Sequence, residues 1–502
     1  MRAPAGPATL AGALALVAAA CGEDAIVVTV AGRPTLREPA SLRVEIGDGT
    51  DRVETVLDLG GDPTLPRTFV VATSGRSGTL DVSIDAVDAA GALLGRGAGQ
   101  GALAGDGELA IMLDPADFVV NTRVVGPQQL SAAQYGSARQ VASTPDGRFI
   151  IAWQSDQTAF ARLFAADARP APNATEIIDL EFEVPIVTGP TDEVVLGHAG
   201  DGYAAVWEAP RPAGGPIDLF MHTYADGDGS RRSINDAAVA TGDATTSHRG
   251  AVIAGGADGG FAVAWLRTAR PQDARGVVQL RRFDRTGEPV GVAVAASVAA
   301  AATDESPAAV GLADGAVVVA WIGEVAGGSQ VVARIFDGAT PRTADLTIDQ
   351  PAGSFARAFA PQLAALDDGG FVVVWVASRV DGTALRLRRF GADGAPRGAE
   401  VVVVATVDFH VPAVATRADG TVAVAWSTGP MGDEDLWLQV VGADDVLTSA
   451  PVALATTTLG TQRAPALARF AADGFVATWT DHSLAAPDPS DAAVRARVLY
   501  VR

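Results

Sequence analysis

The stretch Asp368-Gly369-Gly370-Phe371-Val372-Val373-Val374-Trp375 reads as a tight turn that runs into a buried strand and ends on the largest apolar side chain. Asp-Gly supplies the positive φ that a two-residue hairpin needs. The run after it is apolar without alternation, as in a strand covered on both faces. The Trp offers the area needed to seal one sheet against the next. The same unit occurs seven times. Trp153, Trp207, Trp265, Trp321, Trp375, Trp426 and Trp479 lie 51 to 58 residues apart. Each follows by six or seven residues the Asp of a pair: Asp146-Gly147, Asp201-Gly202, Asp258-Gly259, Asp314-Gly315, Asp368-Gly369, Asp419-Gly420 and Asp473-Gly474. Only Trp437 falls outside this register.

A further strand with its own turn follows the Trp, as in LRRFDRTG (280–287), ARIFDG (333–338) and LRRFGADG (387–394). An all-β unit repeating at more than about forty residues is a propeller blade. The last unit stops after its third strand, VRARVLYV (494–501), and a strand of the missing type, Phe118-Val119-Val120-Asn121-Thr122, precedes the first unit. The sequence therefore predicts an all-β chain: a seven-bladed β-propeller over 118–502, closed by an N-terminal strand that leaves no exposed edge. The seven Trp carry the structural repeat.

Gly369-Gly370-Phe371-Val372-Val373-Val374-Trp375, followed by Arg388-Arg389-Phe390, is similar to the DGGFVVxW…RxFDxxG repeats of large secreted bacterial proteins. The resemblance covers 119–502. It implies the blade fold and brings no catalytic residues. The calcium-binding glycine-rich nonapeptides that often accompany such repeats are absent here.

The start of the chain carries Arg2, an apolar run over 10–20 and then Cys21, the only cysteine. The run is too short for a permanent membrane span and fits a signal peptide over 1–20. Val17-Ala18-Ala19-Ala20-Cys21 resembles a bacterial lipobox, with Ala18 where Leu is usual. The alternative is an ordinary signal peptide with a cysteine nearby by chance. The resemblance implies lipidation at Cys21, a short linker over 21–25, and membrane attachment through the N-terminal lipid alone. The expected address is the cell envelope; Gly22, where Asp would signal inner-membrane retention, favours the outer membrane. Between 26 and 115, short β-type runs such as IVVTV (26–30), SLRVEI (41–46) and TLDVSIDAV (79–87) alternate with Gly, Asp and Pro turns. This predicts a small immunoglobulin-like β-sandwich, without the Cys…Trp…Cys core of true immunoglobulin domains.

Charge narrows the function. The 37 basic residues are all Arg, against 59 acidic ones, for a net charge of −22. Such a surface repels phosphate backbones and anionic lipid, which excludes general nucleic-acid binding. A chain without Lys has no phosphate-cradling GxxxxGK[ST] loop. Five scattered His give no metal-ligand spacing, so no cofactor is expected. Asp226-Gly227-Asp228-Gly229 has the oxygen density of a calcium loop but lacks the downstream Glu and reads as a turn. Asp481-His482-Ser483 has the residue types of a triad at spacings that do not make one.

The Asp-Gly turns occupy one face of the propeller, and the variable loops (154–159, 208–217, 266–276, 322–329, 376–383, 427–435, 480–491) the other. Arg249, His410 and Arg463 precede the first strands of three blades at equivalent register, with His248 and Arg357 close by. They form a candidate anion-binding set at the channel mouth, against the plainer reading of solvated loop residues. The expectation is a non-catalytic, monomeric envelope protein whose propeller face binds a protein, peptide or glycan. The alternative is a glycoside hydrolase or lyase with its site at the channel mouth. A clustered acid pair with Arg at that mouth would favour the alternative.

Overall fold

A computed structural model describes residues 25–500 except for 48–51, 74–77, 103–105, 122–126, 131–138, 145, 156–157, 172–181, 184–192, 201, 212–214, 226–231, 233–236, 244, 270–272, 274, 298–304, 326–327, 350–356, 381, 406–410, 431, 449, 458 and 485–491. The chain divides into two compact units, Met1–Asp117 and Phe118–Arg502. Among the described residues no helix is long and apolar enough to cross a membrane.

The first unit is a seven-stranded sheet in the order Arg52–Asp58, Ser41–Gly47, Thr79–Val87, Leu93–Ala102, Gly107–Pro115, Ala25–Gly32, Arg67–Ala72. Ala25–Gly32 runs parallel to Gly107–Pro115. Leu93–Ala102 meets Gly107–Pro115 only through Gly95↔Pro115 and Arg96↔Asp114. Val28 and Ile111 from one end of this order share a single core with Val44 and Ile84 from the other, so the sheet folds over itself about that narrow joint. Leu93–Ala102 is the strand that apolar patterning misses, because it reads LLGRGAGQGA. Its glycines serve close approach: a Cβ at Gly97 would stand 2.5 Å from the Met112 carbonyl oxygen.

The second unit is the seven-bladed propeller. Blade 5 shows the pattern: Arg357–Ala365, Phe371–Arg379, Gly382–Phe390 and Val401–Ala405 pair antiparallel from the innermost strand outward. Blade 7 consists of Gln462–Phe470, Gly474–Asp481, Ala493–Leu499 and, as its outermost strand, Phe118–Val119. The closing pairs are Arg495↔Val119 and Ala496↔Phe118. The Val120 N–H then donates to the Val494 carbonyl at 2.8 Å, and the Val494 N–H to Asn121 Oδ1 at 2.9 Å.

Each repeat Trp sits in the core between its own blade and the preceding one. Trp375 packs with Ile335 and Ile348 of blade 4, and Trp153 with Ala466 and Val494 of blade 7. All seven are 4% exposed or less, which ties the repeat motif directly to blade-on-blade packing.

The turns differ in one respect from the two-residue hairpins predicted. In blade 5 the Gly369 N–H donates to the Leu366 carbonyl and the Leu366 N–H to the Gly370 carbonyl. The loop therefore has three residues, with Gly369 at φ +88° as its left-handed member. Asp368 Oδ1 accepts from the Gly370 N–H at 3.0 Å, which is why the turn uses Asp. Where Asp precedes Trp by six residues, the positive φ moves to Gly200 in blade 2 and Ala471 in blade 7.

Four innermost strands share a β-bulge that the repeat motif does not announce. Register shifts between Arg249/Val252, Glu305/Ala308, Phe359/Gln362 and Arg463/Ala466. Gly250, Ser306, Ala360 and Ala464 take positive φ there. A bulge re-aims the residues beside it, and these lie at the loop-face end of the central channel.

Candidate functional site

The loop-face mouth is assembled from one register: the residue after the Trp and the residue that pairs with it. The partners are Gln129↔Gln154, Arg249↔Leu266, Glu305↔Ile322, Phe359↔Val376 and Arg463↔Thr480. In blade 2 the ladder continues past Val194↔Trp207, and the Glu208 N–H donates to the Glu193 carbonyl at 3.0 Å. Two carboxylates are thus directly opposite each other on neighbouring strands. Glu193 is 7% exposed and Glu208 3%. Glu208 Oε1 accepts from the Gly250 N–H of blade 3 at 2.6 Å, so the bulge holds the carboxylate in place. In blade 7 the Thr480 hydroxyl does the same for the Leu130 N–H of blade 1 at 2.9 Å.

Polar groups concentrate on one arc of this mouth. Gln154, Glu193, Glu208, Arg249 and Thr480 are all buried. On the opposite side, in blade 5, the same register holds Phe359 and Val376, which pack into the core between blades 5 and 6. On blade 4, Glu305 lies 3.6 Å from Arg275 of the neighbouring blade.

Arg249 and Arg463 do share a register, but Arg249 is buried and Arg463 exposed. Arg357 is exposed at the start of its strand, opposite Ser378. His410 and Cys21 lie outside the described residues, as does Asp226-Gly227-Asp228-Gly229. Ser483 donates straight to Asp481 at 2.7 Å with no imidazole between them, so these residues form a local turn. Among the described residues no group of three or more His, Cys, Asp or Glu is placed to hold a metal ion.

His248 has a structural task. It is buried, and its Nδ1 accepts the indole N–H of Trp265 at 2.9 Å. Gln128 Oε1 plays the same part for Trp153 at 3.0 Å. Burial pushes the imidazole from its ordinary 6.5 down to about 4, partly opposed by the nearby Asp218 carboxylate. As pH falls from 6.5 toward 4, the unfolded chain binds a proton that the folded imidazole refuses, so the fold loses stability across that window. His248→Gln keeps an acceptor and removes the titration. The wild-type chain should lose on the order of 2 kcal/mol more than this variant between pH 7 and pH 4, read from urea midpoints. Parallel pH curves for the two proteins would refute the assignment.

The Glu193–Glu208 pair escaped the sequence reading because a cross-strand partnership depends on register. A signal was nevertheless available. At the position after the repeat Trp, the blades carry Gln154, Glu208, Leu266, Ile322, Val376, Ser427 and Thr480. Glu208 is the only acid among them.

No protein-family model and no curated protein matches the chain in sequence. Similar solved structures exist. A protein of unknown function from Dyadobacter fermentans matches at 12% identity and TM-score 0.45, covering 77% of this chain and 100% of its own. An α-L-arabinofuranosidase of glycoside hydrolase family 93 from Fusarium graminearum matches at 14% identity and TM-score 0.41, covering 60% and 89%. An α-L-arabinanase from Penicillium chrysogenum matches at 11% identity and TM-score 0.39, covering 77% and 99%. At these identities the likeness is one of fold. The named propellers among them are glycoside hydrolases, which overturns the expectation of a non-catalytic binding protein. The sequence reading could not weigh Glu193 and Glu208 together, because they become neighbours only once the blade is folded.

Proposed function

We propose that the chain is a glycoside-cleaving enzyme, with its site at the loop-face mouth of the channel and Glu193 and Glu208 as its carboxylate pair. The observation that carries this reading is the direct opposition of the two acids. Glycoside cleavage needs one carboxyl group to protonate the leaving oxygen. A second attacks the anomeric carbon or activates water. Residues opposed across an antiparallel pair hold their Cβ atoms about 5 Å apart. That spacing suits the roughly 5–5.5 Å between carboxyl groups of a double-displacement mechanism.

The rest of the mouth supports a sugar ligand. Gln154 brings an amide for sugar hydroxyls, and the half-buried Phe359 an apolar surface for a ring face. Two of the similar structures are an α-L-arabinofuranosidase and an α-L-arabinanase, which sets the first substrates to try. The test is turnover of 4-nitrophenyl α-L-arabinofuranoside and a panel of other aryl glycosides by the full chain, Glu193→Gln and Glu208→Gln. Each variant should lose about a hundredfold or more in kcat, the contribution of a positioned acid or base. A wild-type chain inert on the whole panel, or variants as active as the wild type, would sink the reading.

A further inference from the structure

The far end of the same channel has its own chemistry. Each innermost strand pairs on one side only, so its other edge turns unpaired N–H and C=O groups toward the channel. At the turn face the channel opens into a cavity of about 440 Å³ bordered by the ends of all seven innermost strands, and Arg139 lines it. Its guanidinium reaches across from blade 1. Nη1 donates to the Ile253 carbonyl of blade 3 at 3.3 Å, and Nη2 to the Leu363 carbonyl of blade 5 at 2.8 Å.

Those two bonds leave three of the five N–H groups of a guanidinium without a protein acceptor among the described residues. No carboxylate pairs with Arg139 among the described residues, and 131–138, just before it, contains no acid. Burial pulls this guanidinium from 12.5 down to about 10, as befits an enclosed cation with no opposite charge nearby. The other ionised groups at this end cancel each other. Arg469 of blade 7 pairs with Asp367 of blade 5 at 3.0 Å. The cavity therefore holds one uncompensated positive charge inside a chain of net charge −22.

We propose that this cavity binds a small organic carboxylate, its two oxygens taken by the free N–H groups of Arg139. A guanidinium fork matches a carboxylate in shape as well as charge. The volume exceeds the need of a single ion and falls in the range of small-molecule pockets, about 300–1,000 Å³. A sugar acid has both the size and the charge. The site lies deeper in the channel than Glu193 and Glu208, since Ile253 and Leu363 pair with Val263 and Val373, two residues before the repeat Trp of their blades, and it stands without the acid pair.

Isothermal titration of the full chain with D-glucuronate, glucose and sulfate tests the proposal. Glucuronate should bind about tenfold tighter than glucose or more, the worth of one charge-assisted fork. Arg139→Gln should bring glucuronate down to the level of glucose, and Arg139→Lys should retain part of the difference. Arg52→Gln, which alters an exposed arginine of the first unit, should change nothing. Equal binding of glucuronate and glucose by the unmodified chain would overturn the site, and that comparison stands even if the variants fail to fold. Sulfate binding tighter than glucuronate, or Arg139→Gln binding glucuronate undiminished, would overturn it as well.

Discussion

Trp375→Ala is expected to cost about 3–5 kcal/mol of stability, the range for emptying a large buried aromatic site. Trp375 is fully buried and fills the seam between blades 4 and 5 against Ile335, Ile348 and Phe371. Its indole nitrogen has no hydrogen-bond partner, so the loss measures packing and not polarity. Trp375→Phe, which keeps most of the apolar volume, should cost clearly less. Trp265 behaves differently, because its indole N–H donates to His248. There the phenylalanine variant also strands an acceptor, at roughly 1–3 kcal/mol. Urea unfolding of the three variants separates the two contributions. A Trp375→Ala midpoint within experimental error of wild type would mean that the seam is not sealed by this side chain.

The second large effect lies in blade 7. Asp481→Ala should cost about 3–5 kcal/mol, because it takes the carboxylate away from the buried Arg495 guanidinium. The two side chains are 1% and 7% exposed. Asp481 also accepts from Gln462 Nε2 at 3.2 Å and from the Ser483 N–H at 3.1 Å, so its removal unsettles three neighbours at once. Replacing both members, Asp481→Ala with Arg495→Met, should recover much of the loss, since no charge then remains to be solvated. The comparison is a double-mutant cycle on unfolding free energies. Additive losses in the double variant would show that the pair is not coupled.

The parts of this molecule that were legible in the sequence are those written locally and repeatedly. Asp-Gly and Trp at fixed spacing encode a turn and a seam, and seven copies reinforce each other. The closing strand was legible because Phe118-Val119 has the character of the strand that the last unit lacks. Pairings between single residues of no unusual type were not legible. Glu193 and Glu208 are ordinary glutamates until the register of blade 2 sets them face to face. Arg139 binds backbone carbonyls, which every residue has, so no sequence pattern marks its partners. His248 looked like a ligand because imidazole invites that reading, but Trp265, seventeen positions away, claims its Nδ1. The cavity around Arg139 arises from the converging innermost strands and not from the loops.

The closure of blade 7 has a consequence for the order in which the molecule is made. The hydrogen bond from the Val494 N–H to Asn121 spans 373 residues, and loop-closure entropy must be met before so distant a contact gives anything back. A chain synthesised from its N-terminus holds Phe118-Val119 ready before any blade, yet its docking edge on Ala493–Leu499 emerges only after six blades have been made. Until then six blades can stack but the ring stays open, with a strand edge bare at each end of the array. Ring closure is in this sense a checkpoint on blade assembly: only a chain that has made its seventh blade can retire both edges in a single step.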